Sequence, residues 1–188
     1  TRQIPPSILR PLIVAAKDHL RVEVDYVSLN QPDREGRIIV PHTLVWTGLR
    51  WHVRGWCEKN QDYRDFVLSR FRGEPEVLDA SDHTGTSDED WHTLVTIEIA
   101  PDPRLTADQR AVVAHDYGMT DGKWQLSVRA KLLPYLLQLL RLDPTQMMED
   151  PRAQQIVMVN QADVEAWLFP SGWSNTTATS AGALTPAS

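Results

Sequence analysis

The chain has 188 residues, 41% of them hydrophobic, enough to bury one large core or two small ones, and two are expected. Its formal net charge of -6 at pH 7 excludes a general polyanion binder, whose basic balance would extend over the whole domain, so any nucleic-acid contact must be local. The single cysteine, Cys57, excludes an intrachain disulfide framework and a multi-cysteine zinc site and fits a reducing cytoplasm. No apolar run is long enough to span a bilayer, and the opening does not read as a signal peptide.

In "PPSILRPLIVAAKDH" prolines and a serine suit a helix entry, and Leu9, Leu12, Ile13 and Ala16 recur at helical spacing. From Arg21 the period changes to two. Val22, Val24 and Tyr26 share a face, and "NQPDREG" is a polar turn before "RIIVPHTLVW", where Pro41 implies an edge or a bulge. "LRWHVRGWC", "YRDFVLSRF" and "RGEPEVLD" complete five short strands with no helix between them, the pattern of a small antiparallel barrel of the SH3 or Sm kind. "ASDHTGTSDED" has the composition of a solvated acidic linker. Beyond it strand and helix alternate: "TLVTIEIA", "TADQRAVVAHDYG", "KWQLSVRAKL", "LPYLLQLLRL", "QQIVMVN" and "QADVEAWLF", a compact α/β unit with helices on one face of a small sheet. The fold class expected is α+β. Residues 1–19 form a helical connector, 20–79 the barrel, 80–92 the linker, 93–169 the second domain and 170–188 a disordered tail.

The hairpin from Gly48 to Phe71 poses the functional question. Leu49, Trp51, Val53 and Cys57 have the parity of a core face, and Arg50, His52, Arg54 and Trp56 point the other way. Arg64 and Arg70 share parity with Phe66 and Leu68, which requires strand ends or a change of phase. The hairpin nonetheless gathers Arg54, Arg64 and Arg70 beside Ser69, His42 and Tyr26. Guanidiniums so grouped repel one another and cannot shed a proton, so they call for an anion. Alternatively Asp25, Asp62 and Asp65 neutralise them as ordinary surface pairs.

The stretch "PHTLVWTGLRWHVRGWCEKNQDYRDFVLSRF" resembles the core of the WYL domain, the ligand-sensing module of many bacterial transcription regulators, and is similar to the subset that controls phage-defence islands. Trp51, His52 and Val53 stand where the family has its name tripeptide, so tyrosine and leucine are replaced here. Arg64, Phe66, Arg70 and Pro41 match the family pattern. The second domain is similar in length and element order to the C-terminal extension, termed WCX, that follows WYL domains. The resemblance covers about residues 5 to 168.

It implies an Sm-like barrel whose pocket takes a nucleotide, a nucleic-acid end or a related anionic effector. Arg54, Arg64 and Arg70 would contact phosphate, since the planar guanidinium fork pairs with phosphate oxygens. Ser28 and Ser69 would supply neutral hydrogen bonds, and Tyr26, His42 and His52 would meet a base or sugar edge. No catalytic residue, metal or cofactor is expected. A regulator of this family normally begins with a winged helix-turn-helix, which no part of this sequence supplies, and the opening at Thr1 implies residues upstream. The chain thus reads as the sensing and dimerising half of a repressor, a homodimer that reaches duplex operator DNA only through that other domain. A phosphodiesterase acting on nucleotides in the same basic groove is the alternative.

Other signals point to structure. His115 and Asp116 lack the further ligands of a metal centre, "SDED" lacks the alternating ligands of a calcium loop, and Cys57 has core parity. The apolar "LLPYLLQLLRL" and the helix carrying Leu9, Leu12 and Ile13 are the two candidate dimer joints.

Overall fold

Pro5 and Pro6 pre-set the first turn of α1 (Pro6–Asp18), and His19 ends it in the left-handed conformation at φ 55°. The structure, a computed structural model, describes residues 3–28, 35–143 and 147–168. The tail expected over 170–188 and most of the polar turn before β2 lie outside the described residues. Helix α1 buries Ile8, Leu12 and Ala15, and Ile13 is exposed. Leu9 is half-buried and also packs against this core, so of the expected stripe only Ile13 is turned away, and Ile8 and Ala15 complete the buried face.

Five strands follow: β1 (Leu20–Tyr26), β2 (Glu35–Trp46), β3 (Trp51–Cys57), β4 (Asp62–Val67) and β5 (Phe71–Ala80). They pair antiparallel in the order β4-β3-β2-β1-β5. Val22, Val24 and Tyr26 face the core with Ile39, Val53, Phe66 and Phe71, under α1. A 3-10 turn, Leu68–Arg70, joins β4 to β5, the two outer strands. A flat sheet of five strands spaced about 4.8 Å apart would hold those edges roughly 19 Å from each other. Three residues at about 2 Å each reach roughly 6 Å, so the sheet must roll until its edges meet at the turn. Among the described residues β4 and β5 are not hydrogen-bonded to each other; the fold is a rolled five-stranded antiparallel sheet.

The bulge that Pro41 implies is present. Pro41 pairs with Gly55 and Thr43 with Arg54, so His42 is the extra residue in β2. Gly55 answers a steric demand there, since a Cβ on it would stand 2.4 Å from the Val40 carbonyl oxygen and 2.7 Å from the Pro41 Cα.

The second unit has a three-stranded antiparallel sheet in the order β7-β6-β8, built from β6 (Leu94–Pro101), β7 (Trp124–Arg129) and β8 (Ile156–Met158). Helices α3 (Ala107–Asp116), α4 (Leu133–Leu140) and α5 (Gln161–Leu168) follow the expected alternation, and Thr106 with Gln109 forms a capping box on α3. Ile97 and Ile99 bury one face of β6 with Val113, Leu133, Leu137 and Val164, while Glu98 on the opposite parity meets Lys123 and Gln125. Among the described residues no helix is long and apolar enough to cross a membrane.

Two expectations are corrected. Val53 and Cys57 are fully buried, but Leu49 and Trp51 of the same parity are 49% and 41% exposed; α1 packs on β1, β2 and β5 and leaves the far end of this hairpin uncovered. The supposed solvated linker carries a short helix, α2 (Glu89–His92), and buries both Asp88 and Trp91. Accordingly Trp51→Ala should cost less than about 1 kcal/mol. Gly55→Ala should cost about 3 kcal/mol, since backbone rather than a side chain occupies the space. Urea titrations of both variants check the contrast.

Candidate functional site

From His52 to Gly55 strand β3 is buried on both faces. Its inner residues enter the rolled sheet, and its outer residues His52 and Arg54 are 3% and 2% exposed. What covers them is the segment before β6 together with α4.

Arg54 donates from Nε and Nη2 to the two oxygens of Asp88, at 2.6 and 2.9 Å, and from Nη1 to Asp65 Oδ1 at 3.2 Å. Asp88 is the N-cap of α2 and also accepts from the Trp91 backbone N–H at 3.2 Å and from His42 Nε2 at 3.0 Å. An ionised carboxylate only accepts, so Nε2 of His42 carries its proton. The Thr43 hydroxyl lies 2.8 Å from the other ring nitrogen. The bulge at His42 aims that ring out of the sheet. Asp65 Oδ2 accepts from the Tyr135 hydroxyl of α4 at 3.3 Å. One polar hub thus joins β2, β3, β4, α2 and α4.

Burial works against the charge on both principal partners. For Arg54 it pulls the pKa down, but the hydrogen bonds to Asp88 and the charges of Asp65 and Asp88 reverse this and leave it raised. For Asp88 it pushes the carboxyl up, and the hydrogen bonds from His42 and Arg54 overcome it to hold the group at about 2. Aromatic rings wall the hub: Arg54 lies 5.9 Å from the Trp91 ring centre, and Arg129 lies 4.9 Å from it while donating to the Trp91 carbonyl at 2.6 Å. Trp56 stacks on His83 at 3.9 Å.

Beside the hub is a site of different character. The His52 ring meets Tyr135 edge-on at 4.8 Å, and neither of its buried nitrogens has a hydrogen-bond partner. Burial lowers its pKa to about 4; the Asp65 charge opposes this, and Arg50 and Arg70 add to it. Among the described residues neither Arg50 nor Arg70 is hydrogen-bonded or ion-paired to a carboxylate through its side chain.

The residues singled out in the sequence are therefore dispersed. His42 and Arg54 belong to the hub, and His52, Ser69 and Arg70 lie around the end of β3 and the 3-10 turn. Arg64 pairs in register with Gly55, on the opposite parity from Arg54, and makes a 3.2 Å ion pair with Asp62 in solvent. Tyr26 is inside the core between Phe66 and Phe71, its hydroxyl accepting from the Val67 N–H at 3.1 Å. Ser28 is half-buried just after β1. Four residues of the arrangement did not emerge from the sequence as site members. Arg50 shares outer parity with His52, a signal that was legible. Tyr135 is the one side chain on the apolar face of α4 with a polar tip, and Asp65 faces Arg54 in register. Asp88 sits in an acidic run that composition assigns to solvent.

This arrangement, an antiparallel sheet with an arginine-bearing outer face locked to a small α/β unit, defines a class. Residues 7–74 match the WYL domain and residues 94–164 match the C-terminal dimerization domain of the BrxR transcriptional regulator. The chain thus carries a WYL domain followed by this dimerization domain, and these families and the repressors similar to it are regulatory rather than enzymatic, which goes against the phosphodiesterase alternative.

Its relatives include proteins described as the DNA-binding transcriptional repressor CapW. The one from Stenotrophomonas maltophilia is 35% identical over 168 residues, covering 89% of this chain and 56% of that protein. Those from Escherichia coli (strain KTE188) and Pseudomonas aeruginosa are each 34% identical, over 89% and 87% of this chain and 56% and 54% of theirs. The chain spans about half the length of these relatives.

Two acid limbs should appear in the stability profile. Asp88 has a depressed folded pKa, so its contribution is complete above its ordinary 3.8 and is lost as pH falls through about 2. Asp88→Asn should remove that limb and cost about 3 to 5 kcal/mol at neutral pH, because Arg54 stays buried without its main counter-charge. His52 takes up a proton near 6.5 when unfolded and near 4 when folded. Between those values the unfolded chain holds the extra proton, so stability falls as pH drops from 6.5 toward 4, by about 3 kcal/mol in all. His52→Phe should flatten that slope in denaturant titrations from pH 4 to 7.

Proposed function

We propose that this chain is the effector-sensing and dimerising part of a bacterial transcriptional repressor, with residues 20–79 as the sensing unit, 80–92 as a docked connector and 93–169 as the dimerising unit. The repressor activity follows the description of its relatives, and the hairpin's resemblance to regulators of phage-defence islands extends the proposal to the genes controlled. Operator DNA would be bound through residues outside this chain.

The observation that carries the sensing role is the group around His52. Arg50 and Arg70 flank a buried imidazole whose two nitrogens are unsatisfied, and an unsatisfied buried polar group costs about 1 to 3 kcal/mol. A phosphate-bearing effector would balance the two guanidinium charges and satisfy the protonated nitrogen of the ring. It would pair with the two guanidiniums and give His52 an acceptor for a ring N–H. Ser69 would contribute a neutral hydrogen bond. Arg54 would act indirectly, since taking it for phosphate would strip Asp88 of its partner.

Transmission would run through Tyr135, whose ring contacts His52 and whose hydroxyl holds Asp65. A ligand shifts such a contact only by binding one arrangement more tightly than another. Calorimetry with 5′-phosphorylated dinucleotides, cyclic oligonucleotides and short single-stranded DNA tests the reading. Arg70→Ala should weaken binding more than tenfold without altering melting, in line with about 1.5 to 3 kcal/mol for a charge-assisted hydrogen bond. Absence of heat with every probe, or unchanged affinity in folded Arg70→Ala, would overturn it.

A further inference from the structure

We propose that the tip of the β2–β3 hairpin is a second dimer contact, in which Trp46, Leu49 and Trp51 together with Leu139 of α4 pack against another copy of this chain. The proposal rests on the match to a dimerization domain and is independent of any effector.

These four side chains are each between 41% and 52% exposed. Trp46 and Trp51 are directly paired at the hairpin's end with rings 5.5 Å apart. Leu49 is in the turn between them. The same turn is seated on α4: Gly48 has φ 84°, and a Cβ on it would come within 3.0 Å of Leu139 Cδ1. Glycine therefore does two things there, adopting the left-handed conformation and letting the turn close on the helix. The result is an apolar surface that runs from the first unit onto the second. Leu139 lies within residues 94–164, the stretch matching the dimerization domain, so the surface is continuous with the part of the chain to which dimerisation already belongs.

Size decides which role it can have. Contiguous apolar patches of a few hundred Å² mark interaction sites, whereas a stable dimer needs about 800 Å² from each partner. The hairpin tip is too small to be the whole interface and suits an extension of one. Its composition fits as well: tryptophans beside an arginine, Arg50, are the residue types enriched at the centres of protein interfaces. A two-fold contact of this kind is self-complementary, so the same apolar patch serves both sides.

The consequence is mechanical. A dimer contact at this tip would hold the strand end that carries Arg50 and His52 against the partner, linking the geometry of the two-fold to the end of β3.

Sedimentation equilibrium on the whole chain tests this, with Leu49→Glu, Leu139→Glu and, as comparison, Val14→Glu on the similarly exposed face of α1, which is 47% exposed at that residue. Leu49→Glu and Leu139→Glu should each weaken the dimer at least tenfold while melting of the fully dissociated chain is unchanged, and Val14→Glu should leave the dimer within twofold. A parallel reading guards against loss of folding: diluting the unsubstituted chain through its dissociation constant should red-shift tryptophan emission, and Trp46→Phe with Trp51→Phe should abolish most of that shift. A monomeric unsubstituted chain, a dimer insensitive to Leu49→Glu, equal weakening by Val14→Glu, or no emission change on dilution would each overturn the proposal. Weaker nucleotide binding with an intact dimer in Leu49→Glu would also overturn it and assign the patch to the effector.

Discussion

A guanidinium that is 2% exposed sets the terms for the rest of this molecule. Arg54 cannot become neutral, so its burial is tolerable only where carboxylates surround it in hydrogen-bonding geometry. Asp88 supplies two of those bonds and Asp65 a third. Asp88 comes from the connector, so the connector must lie against the sheet, and with it come α2 and Trp91. Arg129 and Lys131 then tie α2 to the second unit, through the Trp91 carbonyl and a 2.7 Å ion pair with Asp90. A pair of this kind is weak support for stability, since an apolar pair of the same volume could do as well. Its value is directional: four donors converge on Asp88, and few arrangements of the two units satisfy them together.

Much of the fold was legible because it depends on local periodicity and backbone chemistry. Val22, Val24 and Tyr26 alternate as an inward face must, Pro41 announces the bulge, and the strand–helix alternation after Leu94 matches the observed elements. The parity argument failed at Leu49 and Trp51 for a reason that parity does not contain: a strand's inner face is buried only as far as something covers it, and α1 stops short of the hairpin's tip. In α1 the expected stripe includes Ile13, which is exposed, and omits Ile8, which is buried, because neighbouring apolar residues look alike in a sequence and only the sheet's position distinguishes them. The candidate site was half legible. Arginines on one hairpin can be counted in a sequence, but which of them has a carboxylate opposite depends on contacts 34 residues apart, as between Arg54 and Asp88. Composition gave the acidic stretch to solvent, although Asp88 within it is 1% exposed and accepts four hydrogen bonds.

The arginines of this hairpin therefore fall into separate kinds. Arg54 is bound in full by protein and organises structure. Arg64 forms a solvent-exposed pair with Asp62, of the sort that contributes little. Arg50 and Arg70 retain hydrogen-bonding capacity beside a ring that lacks partners. An anion added to this surface would compete with Asp88 or Asp62 at the first two, whereas at the last pair no carboxylate is bonded to the guanidiniums it would join. Charge count alone points to all of them, and only the accounting of hydrogen bonds separates them.

Tyr135 occupies the place where the two kinds meet. Its hydroxyl is tied to Asp65, which also takes a bond from Arg54, and its ring covers His52. Burial and the adjacent Asp65 carboxylate raise its pKa, so it remains a donor under all ordinary conditions and the bond to Asp65 persists. Because α4 is only eight residues long and buries Leu133 and Leu137 on its other side, it moves as a unit or not at all. A change in what His52 contacts must then be absorbed either by the ring contact alone, which is cheap, or by displacement of α4, which would lengthen the 3.3 Å bond to Asp65 and disturb Arg54 behind it. In the proposed reading, that second route is how occupation of the His52 site would reach the dimerising unit, through a short chain of named contacts with two arrangements.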